Sequence, residues 1–326
     1  MTGLFDSWQR QINYLRISVT DHCNLNCVYC SVDSIPHLPR SEILSYEEVQ
    51  RLVQVAASTG ISKVRLTGGE PLLRYDLNKL VWMISQIEGI DDISLTTNGI
   101  LLKKYATELK EAGLKRVNVS LDTLKREKFE RITGHDRLEE VLSGIEAARI
   151  AGLEPIKINM VVLRGMNDDE IIDFARMSTS QGWHVRFIEF MPFGTPEAKA
   201  LSSVSTRETR ERIESLGKLE PYTGKTGNGP ARYYRLAGAE GTIGFISPMT
   251  EHFCQTCNRL RLTSDGQLRP CLLDDDEVNL KKALRNGADA DELKQLIQQS
   301  IDIKRERHHL NEGLAPDKRP MTQIGG

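Results

Sequence analysis

The sequence predicts an α/β protein built on an incomplete (β/α)6 TIM-like barrel, with a C-terminal region covering the barrel opening. Two observations carry this expectation. From about residue 15 to 191, short β-branched apolar runs alternate with longer helical patterns at close to the ~30 residues of a strand-helix-strand unit. Beyond Pro192 that alternation stops.

Six strands can be read in order: LRISVT from Leu15, KVRLTG from Lys63, DISLTTN from Asp92, RVNVSLD from Arg116, PIKINMVV from Pro155 and HVRFIEFM from His184. Helical patterns lie between them. In SYEEVQRLVQVAAS, Ser45 suits an N-cap and the glutamates suit the positive end of the helix dipole. Strands joined by such helices run parallel with right-handed crossovers. A full eight-fold barrel needs two more units, so the barrel is expected to be incomplete, with Thr67, Thr96, Ser120 and Met191 at strand ends on its catalytic face. Residues 1–199 form this core and 200–326 a second region. In the latter, FGTPEAKALSS is expected as loop, TGKTGNGPARYYR has no period, ADELKQLIQQSIDIK is helical and KRPMTQIGG is extended.

The composition excludes several classes. Among 326 residues, 43 Lys and Arg oppose 45 Asp and Glu, so no global basic field draws the chain to nucleic acid. No run approaches the ~20 apolar residues of a membrane helix, and the opening MTGLFDSWQR has no signal-like pattern. A cytoplasmic protein with reduced thiols is expected.

The cysteines fall into two trios, Cys23, Cys27 and Cys30 and then Cys254, Cys257 and Cys271. The first follows the first strand directly. Structural zinc takes four ligands, whereas three thiolates can hold three irons of a cubane cluster and leave the fourth open. A zinc knuckle borrowing His22 is the alternative. In LTGGEPLLR, Gly68 and Gly69 leave the backbone after the second strand unshielded, so that a ligand can approach. For the second trio the alternative is a zinc ribbon completed by His252 or Asp274. A second open-iron cluster is preferred because Arg259 and Arg261, two apart in an extended NRLR, face one side toward an anionic or hydrogen-bonding ligand.

Other candidates are set aside. The GKT of YTGKTGNGP has Leu219 where a P-loop needs glycine. His308 and His309 are expected to be solvated, His135 to begin a polar turn, and Asp274 to Glu277 to form a helix-entry cluster.

The C-x3-C-x2-C spacing with Tyr29 before the last cysteine resembles the radical S-adenosylmethionine superfamily. The resemblance implies a 4Fe-4S cluster on the first trio whose open iron is chelated by the methionine part of S-adenosylmethionine, with Gly69 and Glu70 matching the glycine-glutamate that meets its amino group. Both trios, the NRLR element and the terminal Gly325-Gly326 resemble the GTP 3',8-cyclase family of molybdenum cofactor biosynthesis across essentially the whole chain. That resemblance implies a second 4Fe-4S cluster binding the guanine of GTP, and a lyase that makes 3',8-cyclo-7,8-dihydro-GTP through a 5'-deoxyadenosyl radical. Arg16, Arg65, Thr96, Lys157, Arg259 and Arg261 match its GTP-binding positions, with Lys63 and Arg186 weaker phosphate candidates. Tyr29, Gly69, Ser120 and Met191 match its S-adenosylmethionine contacts. Arg259, Arg261, Gly325 and Gly326 are the expected catalytic residues, the Gly-Gly tail reaching into the site. The expected partners are GTP, an external low-potential electron donor and, by product transfer, a downstream cyclic pyranopterin monophosphate synthase. A homodimer is admissible; nucleic acid and membrane are not expected. The rival substrates are a peptide cysteine or another small molecule, with the second cluster as an electron relay, and the rival class is a zinc-binding regulatory or nucleic-acid module.

Overall fold

The computed structural model describes residues 3–30, 37–193, 195–224, 229–316 and 319–325. Six strands stand where the alternation predicts them: β1 (Tyr14–Ser18), β2 (Lys63–Thr67), β3 (Asp92–Thr97), β4 (Arg116–Ser120), β5 (Lys157–Val162) and β6 (His184–Glu189). They pair in that order, all parallel. Helices lie between them, the first being α1 (Tyr46–Ser58). Its Ser45 cap forms a full capping box with Glu48, and Val49, Leu52, Val53 and Ala56 form the buried stripe, the 3.6-residue period turned against the sheet.

The C-terminal region adds two parallel strands that the sequence pattern did not reveal. β7 (Ile243–Ile246) pairs with β6, and β8 (Arg259–Leu262) pairs with β1. Each is four residues long, and the glycine in IGFI and the arginines in RLRL mask the apolar alternation. The parallel order is therefore β8-β1-β2-β3-β4-β5-β6-β7, and among the described residues β7 and β8 are not paired with each other. The barrel is incomplete, and the C-terminal region extends both of its edges. Short antiparallel strands continue the sheet outward, including Arg232–Arg235 beside β7 and Gln267–Arg269 beside β8.

Several local expectations change. Pro196–Lys199 forms a short helix capped by Thr195 within the expected loop, and ARYYR supplies the strand Arg232–Arg235. Helix Ala290–Asp302 stands as expected, capped by Asp289. The tail is not extended: Met321–Ile324 make a helical turn. Asp274 to Glu277 precede a two-residue strand, Val278–Asn279, that leads straight into the helix Leu280–Arg285, and they answer arginines. Arg305 binds Asp274 at 2.7 Å and Arg319 binds Glu277 at 2.6 Å, while the fully buried Arg269 also pairs with Glu277. No helix among the described residues is long and apolar enough to cross a membrane.

Candidate functional site

Strand register fixes the site before any side chain is considered. Arg261 of β8 stands opposite Arg16 of β1, and Arg16 opposite Arg65 of β2, so three arginines form one row across three strands. A second row runs Ser120, Asn159, Arg186 and Gly244 across β4 to β7. One cavity of about 520 Å³ is lined by residues from all eight strands, as it must be if the sheet curves around a lumen.

The two trios lie at opposite edges of the parallel strands. The first follows the C-terminal end of β1. Cys254 and Cys257 precede β8, whose Arg259 is in register with Tyr14 at the start of β1, and Cys271 follows a strand antiparallel to β8. Five residues of strand at ~3.3 Å each separate the edges by ~16 Å. All six cysteines face the cavity.

Among the described residues, neither trio falls in a group of donors all within 4.8 Å of one another. A single zinc ion draws its ligands to ~2.3 Å of itself and demands a tighter set, so the wider thiol trios fit a multi-iron cluster better. Of the candidate fourth ligands for zinc, Asp274 is held by Arg305 and the His22 donor lies with Asp21 and His37, while His252 lies with Cys254 and His308 in a group that takes in neither Cys257 nor Cys271. Donors reach the sulfurs, with Arg259 Nη2 3.5 Å from Cys257 Sγ and the Leu273 amide 3.4 Å from Cys271 Sγ. Burial pushes the Cys257 thiol up, but Arg259 and then Lys304 more than offset it and bring it down to about 6. In the first trio burial dominates, taking Cys30 up to about 12, with Cys23 adding to it. A bound cationic cluster would remove that penalty by taking up the thiolate charge.

The framework is tied down from outside. Lys304 Nζ donates to the carbonyls of Arg259 (3.1 Å) and Pro270, and Arg10 Nη1 donates to the Cys254 carbonyl at 2.8 Å. Gly68 and Gly69 both line the cavity, yet their first duty is to the chain itself. A Cβ on Gly68 would stand 2.5 Å from the Thr20 carbonyl oxygen, and one on Gly69 2.2 Å from that of His22. The two loops that follow β1 and β2 interlock there, through amide bonds from Gly69 to Thr20 and from Glu70 to His22.

Of the expected site residues, Arg16, Arg65, Thr96, Arg259 and Arg261 line the cavity, as do Tyr29, Gly69, Ser120 and Met191. Three others do not. Glu70 is fully buried, its carboxylate accepting from Leu72, Thr97 and Asn98, and burial takes it up to about 7. Lys157 is 1% exposed and sits beneath the cavity wall, where burial, then Arg186 and Arg116, bring its ammonium down to about 6. Gly325 is buried behind the cavity lining, its carbonyl accepting from Arg261. Gly326 lies outside the described residues, as does Lys225 of the rejected GKT. Lys63 stands at the start of β2 and is not in the lining, whereas Arg186 is.

Sequence reasoning missed Tyr14, Asn159 and Asp122. The Tyr14 hydroxyl, Asn159 Oδ1 and Arg186 Nε are buried without a hydrogen-bond partner, which marks polar wall awaiting a ligand. Asp122 accepts from the Tyr29 hydroxyl at 2.5 Å, and burial raises its carboxyl to about 6. The inward alternation of β1 and β5 was the available signal for Tyr14 and Asn159. His308, expected in solvent, is buried against the Pro248 carbonyl at 2.9 Å and joins the lining.

Comparison with known proteins agrees with this architecture. Residues 17–178 match the radical SAM superfamily and residues 183–310 the family described as Molybdenum Cofactor Synthesis C. The chain is 52% identical over 324 residues to a GTP 3',8-cyclase of Pelotomaculum thermopropionicum, covering 98% of this chain and 99% of that one. It is 50% identical to that of Moorella thermoacetica, covering 98% and 99%. In fold it is similar to Streptococcus suis SuiB bound to S-adenosylmethionine, with a TM-score of 0.64 at 17% identity, covering 88% of this chain and 68% of that one. It is also similar to anSMEcpe with bound AdoMet, at 0.58 and 16%, covering 90% and 81%. With an α/β barrel core, two cysteine trios and full-length identity near one half, the chain belongs to the GTP 3',8-cyclase family of the radical S-adenosylmethionine superfamily.

Proposed function

We propose that this chain converts GTP to 3',8-cyclo-7,8-dihydro-GTP, the first step of molybdenum cofactor biosynthesis, within the cavity between its two cysteine trios. One observation carries the proposal: a single lumen meets both trios and a row of arginines. Residues 1–199 serve as the radical-generating core and 200–326 as the substrate and second-cluster region.

Cys23, Cys27 and Cys30 would hold a 4Fe-4S cluster, which would supply the electron for reductive cleavage of S-adenosylmethionine to methionine and a 5'-deoxyadenosyl radical. A second cluster would be held by Cys254, Cys257 and Cys271. The protein's own part is to position and to exclude water. Tyr29, Gly69, Ser120 and Met191 seat S-adenosylmethionine at the C-terminal edge of the strands, with Glu70 bracing the loop from beneath. Arg16 and Arg65 hold the triphosphate, Thr96 the polar wall beside it, and Lys157 supports their field from below. At an effective dielectric of ~20, each cation ~4 Å from a phosphate charge contributes roughly 4 kcal/mol before desolvation. Arg259 and Arg261 orient the guanine end. Holding ribose and base in one geometry is where proximity acts, and its ~7 to 11 kcal/mol is lost if either end slips.

The electrons come from an external low-potential donor, and the product passes to a downstream cyclic pyranopterin monophosphate synthase in the cytoplasm.

Anaerobically reconstituted protein incubated with GTP, S-adenosylmethionine and a strong reductant should release 5'-deoxyadenosine together with the cyclic GTP product. Release of 5'-deoxyadenosine with GTP left intact would overturn the substrate assignment.

A further inference from the structure

Outside the cavity, Asp21, His22 and His37 bring three ligand atoms within 4.8 Å of one another. The donors are two imidazoles and a carboxylate, a set that suits zinc and its neighbours among the divalent transition metals. Two features make it a built site. Asp21 is buried, with its Oδ2 fixed by the Leu38 amide at 2.7 Å, while Oδ1 is buried without a hydrogen-bond partner. A buried carboxylate oxygen left unsatisfied is costly unless a ligand meets it.

The second feature is preorganisation. The His22 carbonyl accepts from the Glu70 amide at 2.7 Å and its own amide donates to Thr20 Oγ1 at 3.2 Å, so its backbone is locked while the imidazole projects outward. His37 stacks on it with ring centroids 3.8 Å apart and its Nδ1 3.5 Å from Asp21 Oδ2, so the two imidazoles are already adjacent and one exposed ring has only to rotate for both in-plane lone pairs to meet one ion. Both rings are about half exposed, which leaves further coordination positions to water and gives an ion an entry path.

We propose that Asp21, His22 and His37 bind one divalent ion of the zinc class. It would clip the loop that leads into Cys23 to the chain at His37. The ion is separate from the iron on the cysteine trios and takes no thiol.

Iron-loaded holoenzyme is dialysed anaerobically against a graded series of zinc chloride, and zinc, iron and acid-labile sulfide are counted per chain. The expected result is one zinc per chain with iron and sulfide unchanged. H22Q/H37Q should weaken that zinc by more than ~100-fold, since changing even the partners of metal ligands costs ~10- to 100-fold. H252Q should leave it in place, because His252 belongs to a different donor group with Cys254 and His308. Both histidines are exposed, so iron content reports whether the double variant remains folded. D21N, which keeps an acceptor for Leu38 but removes the charge, should weaken zinc as well. Undiminished zinc in H22Q/H37Q, zinc gained only as iron is lost, or loss in H252Q alone would each overturn the proposal.

Discussion

Arg261 Nη1 donates a 2.6 Å hydrogen bond to the carbonyl of Gly325, joining the last described residue to the strand beside the second cysteine trio. Gly325 has φ +74, and a Cβ there would stand 2.6 Å from Thr67 Cγ2 and 3.3 Å from Ser18 Cβ. The tail is thus wedged against the C-terminal ends of β1 and β2, the edge from which the first trio projects. It touches both halves of the site.

Removing Gly325 and Gly326 should therefore cut cyclisation sharply while both clusters and GTP affinity stay nearly intact. G325A should act in the same direction, because left-handed backbone costs roughly 1 to 2 kcal/mol for a residue with a Cβ. Product formation is compared with iron content and GTP binding. Full turnover by the truncated chain would contradict the role of the tail.

The two arginines of β8 make a separable prediction. R259A or R261A should weaken GTP by roughly 1.5 to 3 kcal/mol, the range for hydrogen bonds to charged groups. Anaerobic calorimetry on the loaded protein measures it, and unchanged affinity in both variants would count against the assignment. R259A has a second expected effect: without its guanidinium, Cys257 loses the main influence holding it near 6. In the cluster-free chain at neutral pH, alkylation of Cys257 should slow markedly in R259A.

Lys157 supplies the pH dependence. Its folded pKa is about 6 against ~10.4 unfolded, so between these values the unfolded chain holds the extra proton. Stability of the substrate-free protein should then rise with pH across that window, and K157M should flatten the rise. A triphosphate above the lysine reverses the preference for the neutral amine, so GTP binding should take up a proton. Calorimetry at pH 8 in buffers of different ionisation enthalpy should find uptake in the parent and less in K157M. Equal uptake in both would remove Lys157 from the linkage.

The six core strands were legible because each is a β-branched run bounded by helical periodicity, and the cysteine spacings were legible because ligation constrains spacing. Neither signal reaches β7 or β8. Their pairing depends on partners more than 200 residues earlier or on the far edge of the sheet, and four residues carry too little pattern to announce it. The same blindness misplaced Lys157: alternation puts it on the inward face with Asn159, but only register reveals that it lies a layer below Asn159 and Arg186. His308 went wrong for a related reason. Its neighbours in RERHHLNEG are polar, and nothing local tells of the Pro248 carbonyl that buries it. The glycines after β2 were read for a ligand's approach, when the nearest atoms they admit belong to the loop after β1.

That last contact yields the most local test of the site. A methyl group at Gly69 would overlap the His22 carbonyl at 2.2 Å, with the Asp21 carbonyl oxygen at 2.8 Å, and both are backbone atoms that cannot swing aside. G69A must therefore force apart the loops after β1 and β2, and with them the geometry of Cys23, the next residue after His22. The second trio, at the opposite edge of the strands, shares none of these contacts. On anaerobic reconstitution, G69A should lose roughly half of the bound iron and all reductive cleavage of S-adenosylmethionine, while the spectroscopic signal of the second cluster persists. Full iron loading with normal 5'-deoxyadenosine release would mean that the interlock is not what shapes the first trio.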